Sequence, residues 1–332
     1  MKRPTSTNGS KAKSDEFASD RDDSPKFHLR QLRPFMTTAG QCVLTDEERL
    51  AACARASLIK AFEFCTFAHS KLKDEFAFHC VAGLRSICED LIILKFISTL
   101  PPEDQKILLN ADMVRTMHSS MRDQSTFFDT FRPGQPVLRG GYSPNDLAKL
   151  NAQVDDVWHR NGWPLAKRGK WPPTEQLARK IGQGTVDVIY NYIFRLTSST
   201  VHFSTQALLR TGWGVVNADG MKVTFSTKHM SKYYVAFCQI YGIFLLSIYF
   251  EFFPILFDVT PRVQRRVEKL RMALAKHERW PEMLTFEEAN KDMPAGSEII
   301  RLVLRHGLAE EFKAGFISGS EKRRAKLERQ VN

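Results

Sequence analysis

In the stretch Tyr190 to Ser204, YNYIFRLTSSTVHFS, polar side chains recur at helical intervals within an apolar run. Arg195, Ser199 and His202 stand at i, i+4 and i+7, with Ser198 alongside, so a helix would carry them on one face. Polar side chains of these types gathered on one face could line a ligand or catalytic pocket. Upstream, CVAGLRSICEDLIILKFI holds Arg85 and Glu89 at i, i+4, a charged pair inside another apolar run. Leaving one member of a buried pair uncompensated costs about 3 to 5 kcal/mol. The simplest packing therefore sets Arg85 and Glu89 against Tyr190, Ser198, Ser199 or His202. Two readings of that cluster stay open: contacts that knit helices together, and a ligand or catalytic pocket.

An arginine and a glutamate four apart on an early helix are followed by Trp-Pro, a Thr-capped helix, and Tyr190 with Arg195, Ser198, His202 and Ser204. This series resembles DUF5677, an uncharacterised bacterial family, over about residues 45 to 260, and the family brings no established activity with it. A second resemblance is to the HEPN superfamily of helical ribonucleases, whose signature is an arginine followed four to six residues later by a histidine. Arg195 and His202 enclose six residues, and the resemblance implies a metal-independent ribonuclease in which that histidine transfers the proton. Leu196 departs from the pattern, since those enzymes usually carry a polar residue after the arginine.

Other spacings are less specific. Cys65 and His69 share a helix face and His79-Cys80 follow on the next helix, but no close ligand pairing supports zinc, so these are read as core residues and no metal is expected. Gly182-Gln183-Gly184-Thr185 lacks the Lys-Ser or Lys-Thr of a phosphate loop, and its glycines are read as separating two helices. Lys167, Arg168 and Lys170 lie between Trp163 and Trp171, where stacking and charge could hold single-stranded nucleic acid; tryptophans that anchor a loop to the core are the commoner arrangement.

The elements that must position these residues are mostly helical. Thr45-Asp46-Glu47-Glu48 is a capping box that opens a long helix. A second helix is expected from about Asp74 to Leu100, stopped by Pro101-Pro102, and the two form a hairpin. Pro102 opens another helix, Ser143-Pro144 caps a further one, Thr174 restarts helix, and Thr185 to about Arg210 is one strong helical run. Trp213 to Ser226 predicts a two-stranded hairpin turning at Asn217-Ala218-Asp219-Gly220. The run from Tyr233 to Phe257 is nearly long enough to span a bilayer, yet Gln239 and Glu251 favour a helix buried in protein.

The fold class expected is mainly α, a multi-helix bundle with one small β-hairpin. The predicted division is a disordered N-terminal tail over 1–44, a helical core domain over 45–260, C-terminal helices over 261–316 and a charged tail over 317–332. The chain has 332 residues, 43% of them hydrophobic, which suffices for a large core, and its net charge of +11 is spread along its length. Six cysteines without a CxxC pair suggest reduced thiols and a cytoplasmic location. The function expected is that of a binding or defence-associated module of unknown molecular activity, with a ribonuclease using Arg195 and His202 as the alternative. The ligand is unidentified, RNA is the partner of the alternative reading, a homodimer would complete its groove, no cofactor is implied, and no stable membrane insertion is expected.

Overall fold

The computed structural model describes residues 24–41, 45, 48–138, 140–163, 171–182, 184–202, 204–217 and 220–282. Helix dominates, and the regular strands among the described residues are the two of one hairpin. The expected charged tail at 317–332 and the part of the expected C-terminal helices over 283–316 lie outside the described residues, as does the expected turn at Ala218-Asp219.

The chain forms two compact units that interleave in sequence. The first comprises residues 1–71, 83–194 and 240–277, the second 72–82, 195–239 and 278–332.

In the first unit, α1 (Pro25–Ala39) occupies part of the stretch expected to be a tail. Leu29, Leu32 and Met36 recur at helical spacing and are buried, and Ser24 caps the helix through the Phe27 amide. Pro34 inside this helix hides the pattern from a sequence reading. α1 packs against α2 (Arg49–Ser70) and α11 (Pro261–Ala275). Thr45 Oγ accepts from the Glu48 amide at 3.3 Å, as a capping box requires, although the regular helix begins only at Arg49. α3 (Ala77–Ile97) follows a short turn of 3₁₀ helix at Asp74–Phe76. α4 (Pro102–Phe131) pairs with α5 (Pro144–Arg160), whose Ser143 cap accepts from the Asp146 amide. Asp104, at the start of α4, takes hydrogen bonds from Arg160 Nε at 2.9 Å and Asn161 Nδ2 at 2.7 Å, which ties the two helices together.

α6 (Thr174–Ile181) ends at Gly182, whose φ of +66° lets the chain turn into α7 (Gly184–Ile189), so the glycines do separate two helices. The single run expected from Thr185 to Arg210 is corrected here. α7 passes into a π-helical turn over Tyr190–Phe194, then α8 (Arg195–Val201), then α9 (Thr205–Leu209). Aromatic and β-branched residues fill Val188–Tyr190 and Tyr192–Phe194, with no proline or glycine among them to announce such a break.

α10 (Ser231–Phe252) is long and apolar enough to cross a membrane by length and composition, and 67% of its most apolar window is buried inside the protein. In the first unit its residues Leu245, Leu246 and Tyr249 sit in the core with Leu58, Leu84, Ile87 and Leu91. Glu251 near its end pairs with Arg271 at 2.9 Å. The second unit carries β1 (Gly212–Asn217) and β2 (Gly220–Phe225), antiparallel with Gly212 opposite Phe225 and Asn217 opposite Gly220.

Candidate functional site

Arg85, Glu89 and Tyr190 belong to the first unit, and Arg195, Ser198, Ser199 and His202 to the second. The expected cluster is thus divided between units at the Phe194–Arg195 bond, and each half stands on its own geometry.

In the first unit, Arg85 Nη1 lies 3.3 Å from Glu89 Oε2, one helical turn along α3. The guanidinium sits 4.9 Å above the centre of the Phe194 ring, and Tyr190 stacks on that ring at 5.0 Å. Thr174 was expected to cap α6, but Pro173 holds the cap position and the Thr174 hydroxyl donates to Glu89 Oε1 at 3.4 Å. Three separate elements therefore fix one ion pair: α3 supplies both charges, α6 a hydroxyl, and the π turn an aromatic face. The pair is not sealed, since 23% of the Arg85 side chain and 31% of the Glu89 side chain remain exposed. Another residue of the π turn, Tyr192, shares a hydroxyl contact with Tyr241 at 3.4 Å.

A second polar set on α3 was not singled out in the sequence. Ser86 and Asp90 follow Arg85 and Glu89 by one position, so they turn about 100° around the helix. Lys60 of α2 donates to Ser86 Oγ at 2.8 Å and to Asp90 Oδ2 at 2.6 Å, and the Ser57 hydroxyl reaches the same oxygen at 3.0 Å. Tyr249 Oη completes the chain, 2.5 Å from Ser57 Oγ and donating to the Ile87 carbonyl at 3.1 Å. Burial pushes the Tyr249 phenol far above its usual range, with the Ser57 hydrogen bond only partly offsetting it. Ser57, Lys60 and Asp90 line a cleft of about 410 Å³ whose walls are Ile93, Leu94 and Trp171. The i, i+4 spacing of Ser86 and Asp90 was the available signal; their partner Tyr249 lies too far along the chain to be read.

In the second unit, Arg195 and His202 are both exposed on α8 and its end, while Thr197 between them is fully buried. The His202 amide still donates to the Ser198 carbonyl at 2.9 Å, which continues the helix one residue beyond Val201. Ser199 spends its hydroxyl on the Leu196 carbonyl at 2.6 Å, so it braces its own helix. Ser198 and Ser199 are half-buried.

Among the described residues no three metal-ligating side chains come together. Cys65 is buried, and burial pushes its thiol up, as it does for Cys88 and Cys238. Trp158 is buried with Trp163 and Trp171 rings at 6.4 and 5.4 Å, and Phe96 beside it, so the tryptophans do anchor the chain on either side of residues 164–170. Lys167, Arg168 and Lys170 themselves lie outside the described residues.

Residues 65–217 match a family of unknown function, DUF5677. No curated protein and no solved structure matches the chain.

Proposed function

We propose, taking residues 65–217 as a segment of the DUF5677 family, that this protein is a cytoplasmic binding module whose recognition site is the Arg85–Glu89 pair. The observation that carries this reading is a pair held from three elements yet left part-open to solvent. Groups fixed before the ligand arrives lose little entropy on binding. The pair is neutral overall, with a donor fork on Arg85 beside an acceptor on Glu89. It therefore suits a ligand with an adjacent acceptor and donor, such as a primary amide or the zwitterionic end of an amino acid. Thermal melts of the full chain against a set of free amino acids and simple amides test this. A rise in melting temperature with one class, absent in Glu89→Gln, is expected. No rise with any of them, or an equal rise in the variant, refutes the reading.

A second reading, an RNA-cleaving enzyme, is favoured by one observation: Arg195 and His202 are both exposed, as a nuclease would require. In it His202 takes the proton of an RNA 2′-hydroxyl, the oxygen attacks the adjacent phosphorus, and the 5′-oxygen leaves with a proton returned to it. A cyclic phosphate and a 5′-hydroxyl end result, without a metal. Arg195 would offset the charge that develops on phosphate. Incubation of wild type and His202→Ala with mixed RNA, beside melts of both, decides it. Cleavage lost in a variant of unchanged stability supports the enzyme; no cleavage by wild type removes it.

A further inference from the structure

A groove runs between α1 and α2 in the first unit, with adjoining chambers of about 410 and 270 Å³ that share Arg33, Phe62, Thr66, Ser70 and Lys71. Lys26, Arg30 and Arg33 line it from α1 at i, i+4 and i+7, so one stripe of that helix presents three cations. Lys71, just past the end of α2, adds a fourth from the opposite wall. Among the described residues none of these four side chains has an ion pair or hydrogen bond, and Glu63 is the one acidic residue lining the groove. Its floor is apolar, from Met36, Ile59 and Phe62. Into that floor Thr66 brings a hydroxyl that is buried and lacks a hydrogen-bond partner.

We propose that this groove binds a nucleotide, with its phosphates on Arg30, Arg33 and Lys71 and its base over Phe62. Four cations held close together, with Glu63 the one acidic side chain beside them among the described residues, repel one another, and a ligand of several negative charges removes that repulsion where a single carboxylate or sulfate would not. Successive cations of the α1 stripe rise by about 6 and 4.5 Å along the helix axis, a span that a chain of phosphates covers. The apolar floor matches a flat ring, and the chambers hold one small ligand rather than a length of strand. Glu63 and the Thr66 hydroxyl give the polar edge of a base an acceptor and a donor. A lipid phosphate would satisfy the cations but leave the Thr66 hydroxyl buried against its chain.

The proposal is independent of the Arg85–Glu89 reading, because the groove shares no residue with that pair. Calorimetric titration of the full chain with ATP, inorganic pyrophosphate, dodecyl phosphate and a short single-stranded RNA tests it, with Arg33→Glu and Arg132→Glu compared. Arg132 is likewise exposed and lies outside the groove lining. Saturable one-site binding of ATP is expected, weakened by about a hundredfold in Arg33→Glu and unchanged in Arg132→Glu. Lys71→Gln, expected to weaken binding about tenfold, serves in place of Arg33→Glu should that variant melt early. The proposal is overturned if ATP does not saturate, or if both charge reversals weaken it equally. It is overturned too if pyrophosphate binds as tightly as ATP, or if dodecyl phosphate or RNA binds more tightly.

Discussion

Ser86 and Asp90 show how much chemistry one helix can hold when polar residues are doubled. Arg85 and Glu89 face Phe194 and Thr174, while their immediate neighbours face Ser57 and Lys60. The first pair was legible in the sequence because two full charges stand out in an apolar run. The second was not, because serine blends into such a run and its organising partner, Tyr249, arrives 192 positions after Ser57. Tyr249→Phe deletes one hydroxyl from a buried chain and leaves Ser57 and the Ile87 carbonyl short of a partner. A loss of about 1 to 3 kcal/mol in urea unfolding is expected, and an unchanged midpoint would count against that chain. Asp104 supplies a pH test. Burial works to raise its carboxyl, but the hydrogen bonds from Arg160 and Asn161 outweigh it and hold the group below its usual range. A depressed carboxylate contributes fully above the ordinary carboxyl range and loses that contribution as pH falls through its lower folded value. Stability should therefore drop below about pH 4, and Asp104→Asn should flatten part of that drop.

At the scale of elements, chain-breaking and capping residues were the most readable. Pro102, Ser143 and Gly182 each mark a boundary where a backbone requirement admits few residue types. α1 went unread because Pro34 and scattered charges resemble a tail, and its stability comes from packing on α2 and α11 rather than from its own pattern. The π turn at Tyr190–Phe194 has no residue signature at all, so the phase of Tyr190 relative to Arg195 was beyond a periodicity argument. Packing between helices gives a sharper expectation. The Phe64 ring of α2 lies against Gly83 of α3 and Gly242 of α10, and a Cβ on Gly83 would stand 2.9 Å from Phe64 Cε2. Alanine is the better helix former by about 1 kcal/mol, yet the clash should win. Gly83→Ala is expected to destabilise by about 1 to 3 kcal/mol in denaturant titration. A stabilised variant would mean that Phe64 moves aside freely.

For the whole molecule, the family segment 65–217 draws on both compact units and stops before α10 and α11. It also begins inside α2, which leaves out Ser57 and Lys60. A fragment with those ends lacks Tyr249 and the buried Leu245 and Leu246, which share the core with Leu84, Ile87 and Leu91. It should show no cooperative melt by circular dichroism, whereas the full chain should, and should do so without detergent if α10 is a core helix. The charge of +11 was readable from composition, but the gathering of Lys26, Arg30, Arg33 and Lys71 between α1 and α2 was not, since it depends on a helix that the sequence concealed. The Tyr249 hydroxyl also carries an optical consequence. Seven tyrosines absorb in this chain. Tyr249 is held in the protonated form by its burial, so its share of the ultraviolet change should be withheld and then released in one step, at the pH where the core gives way.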